Sequence, residues 1–238
     1  MGLSRSISRL TSYYSRHGIG ATIRRARLTA QRALFSSNMV LFYCDLAKQT
    51  FASPNIPTSL KVERLKSYAQ LGTQDLRDMT SFWNPKQANR NIRERFEQGA
   101  SLWLIKSGGK LAGYGSTLQG RTIESHYFPL AQNDVHLFDF HVFPQFRGQG
   151  MNPLLVTHIL HSLAGECTGR AFIEAAEWNE AQLSSLGKTP FRRLGSARKS
   201  TILHRTIVCW AENEPLDQMQ KEMDQVNRSI AAAKPRGQ

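Results

Sequence analysis

The stretch Val135-His136-Leu137-Phe138-Asp139-Phe140-His141-Val142-Phe143-Pro144-Gln145-Phe146-Arg147-Gly148-Gln149-Gly150, with the apolar-periodic run that follows it to Leu163, decides the fold. It reads as strand, glycine loop, helix. Glycines at 148 and 150 let the backbone approach a ligand closely. The helix that opens after them aims unpaired N–H groups and the positive end of its dipole over the loop. Such an arrangement cradles a phosphate. The spacing is neither G-x-G-x-x-G nor that of a P-loop, since no Lys-Ser/Thr follows the second glycine.

The signature is instead Q-x-x-G-x-G, from Gln145, Gly148 and Gly150 with Arg147 inside it. Val142-Phe143-Pro144 precedes it, a strand over 171–176 follows, and Asn179 opens a helix expected to close at Phe191. This ordered combination resembles the GNAT acyltransferases. The resemblance implies acetyl-coenzyme A as acyl donor, its pyrophosphate gripped by main-chain amides of Gln145, Phe146, Arg147, Gly148, Gln149, Gly150 and Met151. It implies that the pantetheine lies along the strand, with an N–H near Val142 polarising the thioester carbonyl as an oxyanion hole does. Asn179 is a candidate contact to that arm, or a helix cap, or both.

An amine acceptor arrives protonated, since an alkylammonium titrates near roughly 10, so a base must reach it directly or through one water. In several family members the base stands six residues before the Val-x-Pro valine, which here is His136. Asp139 and His141 are the other catalytic candidates, with Glu174 as one acting through water. Against these roles stand a packing histidine and a structural carboxylate that orders the loop. Alternation puts His136, Phe138, Phe140 and Val142 on one face and Val135, Leu137, Asp139 and His141 on the other. His136 and Asp139 therefore share a cleft only if a bulge reverses the pleat.

One family feature is missing. A tyrosine that protonates the departing thiolate is commonly found seven residues after the Asn; that position is Leu186, and the glycine before the retained Phe191 is Pro190. A hydrocarbon donates no proton. Ser184, Ser185 or solvent would have to serve, and a thiol titrating near roughly 8.5 leaves tolerably well. The form Asp-Phe-x-Val-x-Pro-x-x-Arg-Gly-x-Gly, with a basic helical start, resembles bacterial members of polysaccharide assembly and so implies a small-molecule or glycan amine as acceptor. Protein or peptide N-acetylation is the runner-up. A reading from another class is a non-catalytic coenzyme-fold module, favoured by the missing tyrosine.

The chain of 238 residues has 40% hydrophobic content, enough for one main core. No apolar run is long enough to span a bilayer. Cys44, Cys167 and Cys209 lack ligand spacing or an evident pairing, so no metal is expected and a reducing, cytoplasmic setting fits. Residues 1–34 carry seven arginines and no acid, about half of the net charge of +13. This arm reads as a solvated basic helix, a helix on an anionic membrane surface, or a transit peptide; Met1-Gly2 with Ser6 also formally fits a myristoylation pattern. Nucleic acid is not expected, because the arm shows no recognisable binding fold. Oligomeric state has no signature.

The remaining pattern predicts a strand over 39–43, a loop at Pro54 and Pro57, and a segment 61–71 open between strand and helix. Helices are expected from Thr73 and over 86–98, and a hairpin around Ser107-Gly108-Gly109. The last strands are expected at 191–193 and 201–210, with Gly195-Ser196-Ala197-Arg198 turning between them. The resulting expectation is an α/β fold, a GNAT-like mixed and mostly antiparallel sheet flanked by helices. It divides the chain into a basic helical arm (1–37), an acyl-CoA-binding domain (38–210) and a polar tail (211–238). Acceptor contacts would come from 54–72 and 119–134, where Arg121, Glu124, His126 and Asp134 are polar candidates.

Overall fold

The structure is a computed structural model that describes residues 38–48, 51, 54–81, 84–124, 126–166, 169–202 and 205–211. The arm, Cys167 and all of the tail beyond Ala211 lie outside the described residues, and so do the expectations attached to them. Eight strands form one sheet in the order β2-β3-β4-β5-β6-β1-β7-β8: β1 Met39–Asp45, β2 Leu60–Leu65, β3 Ser101–Ser107, β4 Lys110–Gln119, β5 Val135–Val142, β6 Arg170–Ala176, β7 Arg192–Ile202 and β8 Arg205–Trp210. Every neighbouring pair is antiparallel except β5 with β6. The helices are α1 Thr73–Thr80, α2 Pro85–Glu97, α3 Met151–Ala164 and α4 Glu180–Leu186. No helix among the described residues is long and apolar enough to cross a membrane.

Local chemistry sets these boundaries. Asn84 caps α2 by accepting from the N–H groups of Lys86 and Gln87, with Pro85 at the first helical position, where its missing N–H is harmless. The open segment 61–71 resolves into β2 and a short 3-10 turn, Tyr68–Gln70. Two expectations are corrected. α4 stops at Leu186 rather than Phe191, because Pro190 cannot continue a helix and pushes its predecessor out of helical conformation. Gly195 to Arg198 is no turn: β7 runs unbroken through it, with a register shift against β1 at Leu41/Phe42. Ser196 and Ala197 are buried there between two partner strands, a tertiary demand that overrides their local turn preference.

One face of the sheet packs on α3, whose Leu155, Val156, Ile159, Leu160 and Leu163 meet Trp103, Ile105, Val135 and Leu137. On the other face α1 and α2 cover β3 and β4 through Met79, Ile92, Leu102, Leu104, Leu111 and Phe143. Beyond them on the sheet, Tyr127 and Phe128 pack on Leu41, Phe172 and Leu194.

Candidate active site

β5 is the strand on which the site is built. It pairs with β6 over Val135–Leu137 only, the last pair being Leu137 with Ile173. Phe138 to Val142 continue along β4 without β6, so the sheet parts at that point. A bulge interrupts the strand. Tyr114 faces His141 but Ser116 faces Phe138, so Asp139 and Phe140 together oppose Gly115, and Asp139 has φ +57°. The pleat restarts there. Phe140 and Val142 join the α3 core that Leu137 already faces, and uninterrupted alternation is thereby corrected. His141 stacks on Tyr114 at 5.6 Å and meets Phe143 edge-on, on the side of α1 and α2. His136 stacks on Phe138 at 5.3 Å.

The catalytic candidates have different surroundings. His136, 5% exposed, sets its Nε2 at 2.8 Å from Glu174 Oε2 across the parting strands. Burial would raise the Glu174 carboxyl, but the His136 hydrogen bond and the neighbouring His126 and Lys199 hold it below the usual range. The His126 ring lies 5.0 Å from that of His136, and burial pushes it down to about 4. Asp139 is ion-paired with Arg95 of α2. Burial, opposed by Arg95, leaves its carboxyl above the ordinary value. His141 is lowered by burial and by Arg147. Tyr114 beside it is pushed up to about 12 by burial and by Asp139.

At the other end of β5, Pro144–Phe146 forms a 3-10 turn, and Gly148 and Gly150 take φ +77° and +74°, which only glycine adopts without strain. A Cβ built on either glycine meets nothing within 4 Å, so the space over the loop is open to a ligand. Arg147 Nε donates to the Val142 carbonyl, and Gln149 Nε2 to that of Gln145. The Phe146 and Met151 side chains pack into the core, leaving their main chain to serve a ligand. Asn179 caps α4, accepting from Gln182 N–H and donating to Gln182 Oε1. Leu186 is wholly buried, while Ser185 Oγ accepts from Asn152 Nδ2 at 2.8 Å.

A cleft of about 560 Å³ opens beside β8, lined by residues of the 121–130 loop with Thr206 and Val208. His126, Arg121 and Glu124 line it. Asp134 does not: it is buried, accepting from Ala131 N–H and from Arg170. Two features were missed or undervalued in the sequence. His126 lies in an irregular loop without periodicity. Glu174 carried a readable signal, a carboxylate in the apolar strand Ala171-Phe172-Ile173-Glu174-Ala175-Ala176.

Residues 68–184 match the model of the acetyltransferase (GNAT) family. No curated protein matches the chain. Among solved structures, a tandem GNAT protein from the clavulanic acid biosynthesis pathway is 15% identical, with TM-score 0.50, over 69% of this chain and 55% of its own. A GNAT-family acetyltransferase from Colwellia psychrerythraea is 15% identical (TM-score 0.49, 66% and 53%). A GCN5-related N-acetyltransferase from Kribbella flavida is 13% identical (TM-score 0.42, 67% and 56%). The chain thus spans little more than half the length of these structures, and at such identity the likeness concerns the fold.

Proposed function

The chain belongs, through residues 68–184, to the acetyltransferase (GNAT) family, and from that premise we propose that it transfers an acetyl group from acetyl-coenzyme A to an amine by direct attack. The observation that carries this reading is the parting of β5 from β6 after Leu137 and Ile173, with the glycine cradle at one end of the freed strand and the His136–Glu174 pair at the other. The pyrophosphate would rest on main-chain N–H groups between Gln145 and Met151, and the pantetheine would run along the edge that β5 no longer shares.

Two of the expected roles exclude each other. His136 and Val142 are six residues apart, about 20 Å at the rise of a strand, so a thioester polarised by the Val142 N–H lies out of reach of His136. We place the thioester where the strands part. The bulge at Asp139 and Phe140 interrupts the ladder there and leaves main-chain N–H groups to polarise the carbonyl. His136 then takes the amine's proton, directly or through one water, with Glu174 stabilising the imidazolium. Arg95 and Asp139 brace the bulge. Solvent or Ser185 protonates the leaving thiolate, since Leu186 faces the core.

The cleft beside His126 is the proposed entry for the acceptor, a small-molecule or glycan amine. The seven arginines of the arm are proposed to meet an anionic membrane surface from the cytoplasmic side. The buried Leu186 favours one second reading, a module that binds the coenzyme without turnover. Calorimetry with acetyl-coenzyme A, joined to thiol release over a panel of amino sugars, peptides and simple amines, tests both. Binding with turnover that falls about 10²-fold or more in His136→Gln, at unchanged coenzyme affinity, supports the enzyme. Binding without turnover on any amine supports the module, and no binding refutes both.

A further inference from the structure

His126, His136 and Glu174 come from the β4–β5 loop, β5 and β6, which the fold brings to one point. Each offers one ligand atom, and these atoms all lie within 4.8 Å of one another. The expectation of no metal rested on sequence spacing, and intervals of ten and thirty-eight residues carry no ligand motif. Two imidazoles with one carboxylate nevertheless form the three-ligand set of catalytic-type zinc centres, which keep a fourth position open.

Two further observations point to a ligand. His126 Nε2 is buried without a hydrogen-bond partner among the described residues. Such orphaned polar atoms are uncommon in folded proteins and call for a reason. His126 also lines the cleft, so an ion has a route from solvent and the fourth position has somewhere to face. Tetrahedral coordination at bond lengths of 2.0–2.1 Å needs donors about 3.3 Å apart. The cluster therefore has to contract by about 1.5 Å at most, within the reach of side-chain rotation.

We propose that His126, His136 and Glu174 bind a divalent transition-metal ion of the Zn²⁺ class, with its open coordination position toward the cleft. Ion and acceptor amine then compete for the same imidazole, so that on the acetyltransferase reading above, on which this consequence rests, the metal suppresses turnover. Coordination itself does not depend on that reading. The His136–Glu174 hydrogen bond gives way when the ion takes both groups, and its proton passes to the buffer.

The test is a titration of the full chain with ZnCl₂ against a chromophoric chelator, repeated with CoCl₂ to read the visible ligand-field bands. Wild type is expected to bind one ion per chain, with bands of low-coordinate cobalt and no thiolate charge-transfer band. His126→Ala and Glu174→Gln should each weaken binding at least about tenfold, and His161→Ala should leave it unchanged. Circular dichroism checks folding, and His126→Gln replaces His126→Ala if the latter fails to fold. Failure of wild type to compete for zinc overturns the proposal. So does binding that survives both ligand variants, or a thiolate band that places the ion on cysteine. Zinc binding by a chain that never turns over would sink the acetyltransferase reading and leave the metal site standing.

Discussion

Replacing Gly148 by alanine separates the cost of the loop's backbone conformation from its work on a ligand. Gly148 has φ +77° and Gly109, in the β3–β4 hairpin, has φ +79°; a Cβ added to either meets nothing within 4 Å. The two positions therefore share one penalty, the left-handed conformation, which costs an L-residue about 1–2 kcal/mol. For a chain of this size that lowers Tm by roughly 2–8 °C. Only Gly148 has a proposed phosphate above it. A methyl group there holds the phosphate away from the amides and forfeits a charge-assisted hydrogen bond worth about 1.5–3 kcal/mol, a loss of roughly tenfold to a hundredfold in Kd. Gly148→Ala and Gly109→Ala should match in thermal unfolding, and only Gly148→Ala should lose affinity for acetyl-coenzyme A by calorimetry. Coenzyme binding by Gly148→Ala within twofold of wild type, or an equal loss in Gly109→Ala, refutes the cradle.

Three other outcomes follow from the same geometry. A Cβ on Gly115 would lie 2.4 Å from the Phe140 ring, so Gly115→Ala should cost about 1–3 kcal/mol by overpacking; in urea unfolding, Phe140→Leu should recover part of that loss, and simple additivity would contradict the packing. Burial pushes the Cys44 thiol up to about 12 while Cys209 is exposed; Ellman's reagent should therefore modify Cys209 in the folded protein and Cys44 only on unfolding, and prompt modification of Cys44 would refute its burial. His158, edge-on to Trp103 at 6.1 Å, is lowered below its usual 6.5 by burial and by His161. Its neutral form is the folded one, so its contribution is complete above about pH 6.5 and is lost as pH falls toward its folded value; between pH 7.5 and 5.5, His158→Leu should lose less stability than wild type, and equal losses would count against the shift.

How much of this was legible depended on whether the signal was local. The strand, glycine loop and helix were readable because Gly148, Gly150 and the change of period lie within a few residues of each other. Asn84-Pro85 marked its helix for the same reason. The bulge was not readable, because Asp139 occupies what looks like an ordinary alternating position, and only pairing with Gly115 of β4 reveals the extra residue. Gly195 to Arg198 misled through composition: a turn-like tetrapeptide is held extended by strands on both sides. His136 was singled out, but its partners His126 and Glu174 come from other elements, and no spacing rule links them.

The bulge also explains how one strand serves two demands. Upstream of it β5 must place His136 at the parting of the sheet while Leu137 fills the α3 core. Downstream, the strand must keep feeding that core although its neighbour β6 has left. Strict alternation would carry Phe140 and Val142 to the opposite face, with His136. The extra residue shifts the pleat by one step, so Phe140 and Val142 stay with α3 while His141 and Phe143 turn to the α1 and α2 side. Gly115 makes room for Phe140, and Arg95 holds Asp139 where the backbone is least comfortable. The residue that strains the strand thus keeps the core continuous under an edge that has lost its partner, and an edge so supported is the kind that can receive an extended ligand without collapsing.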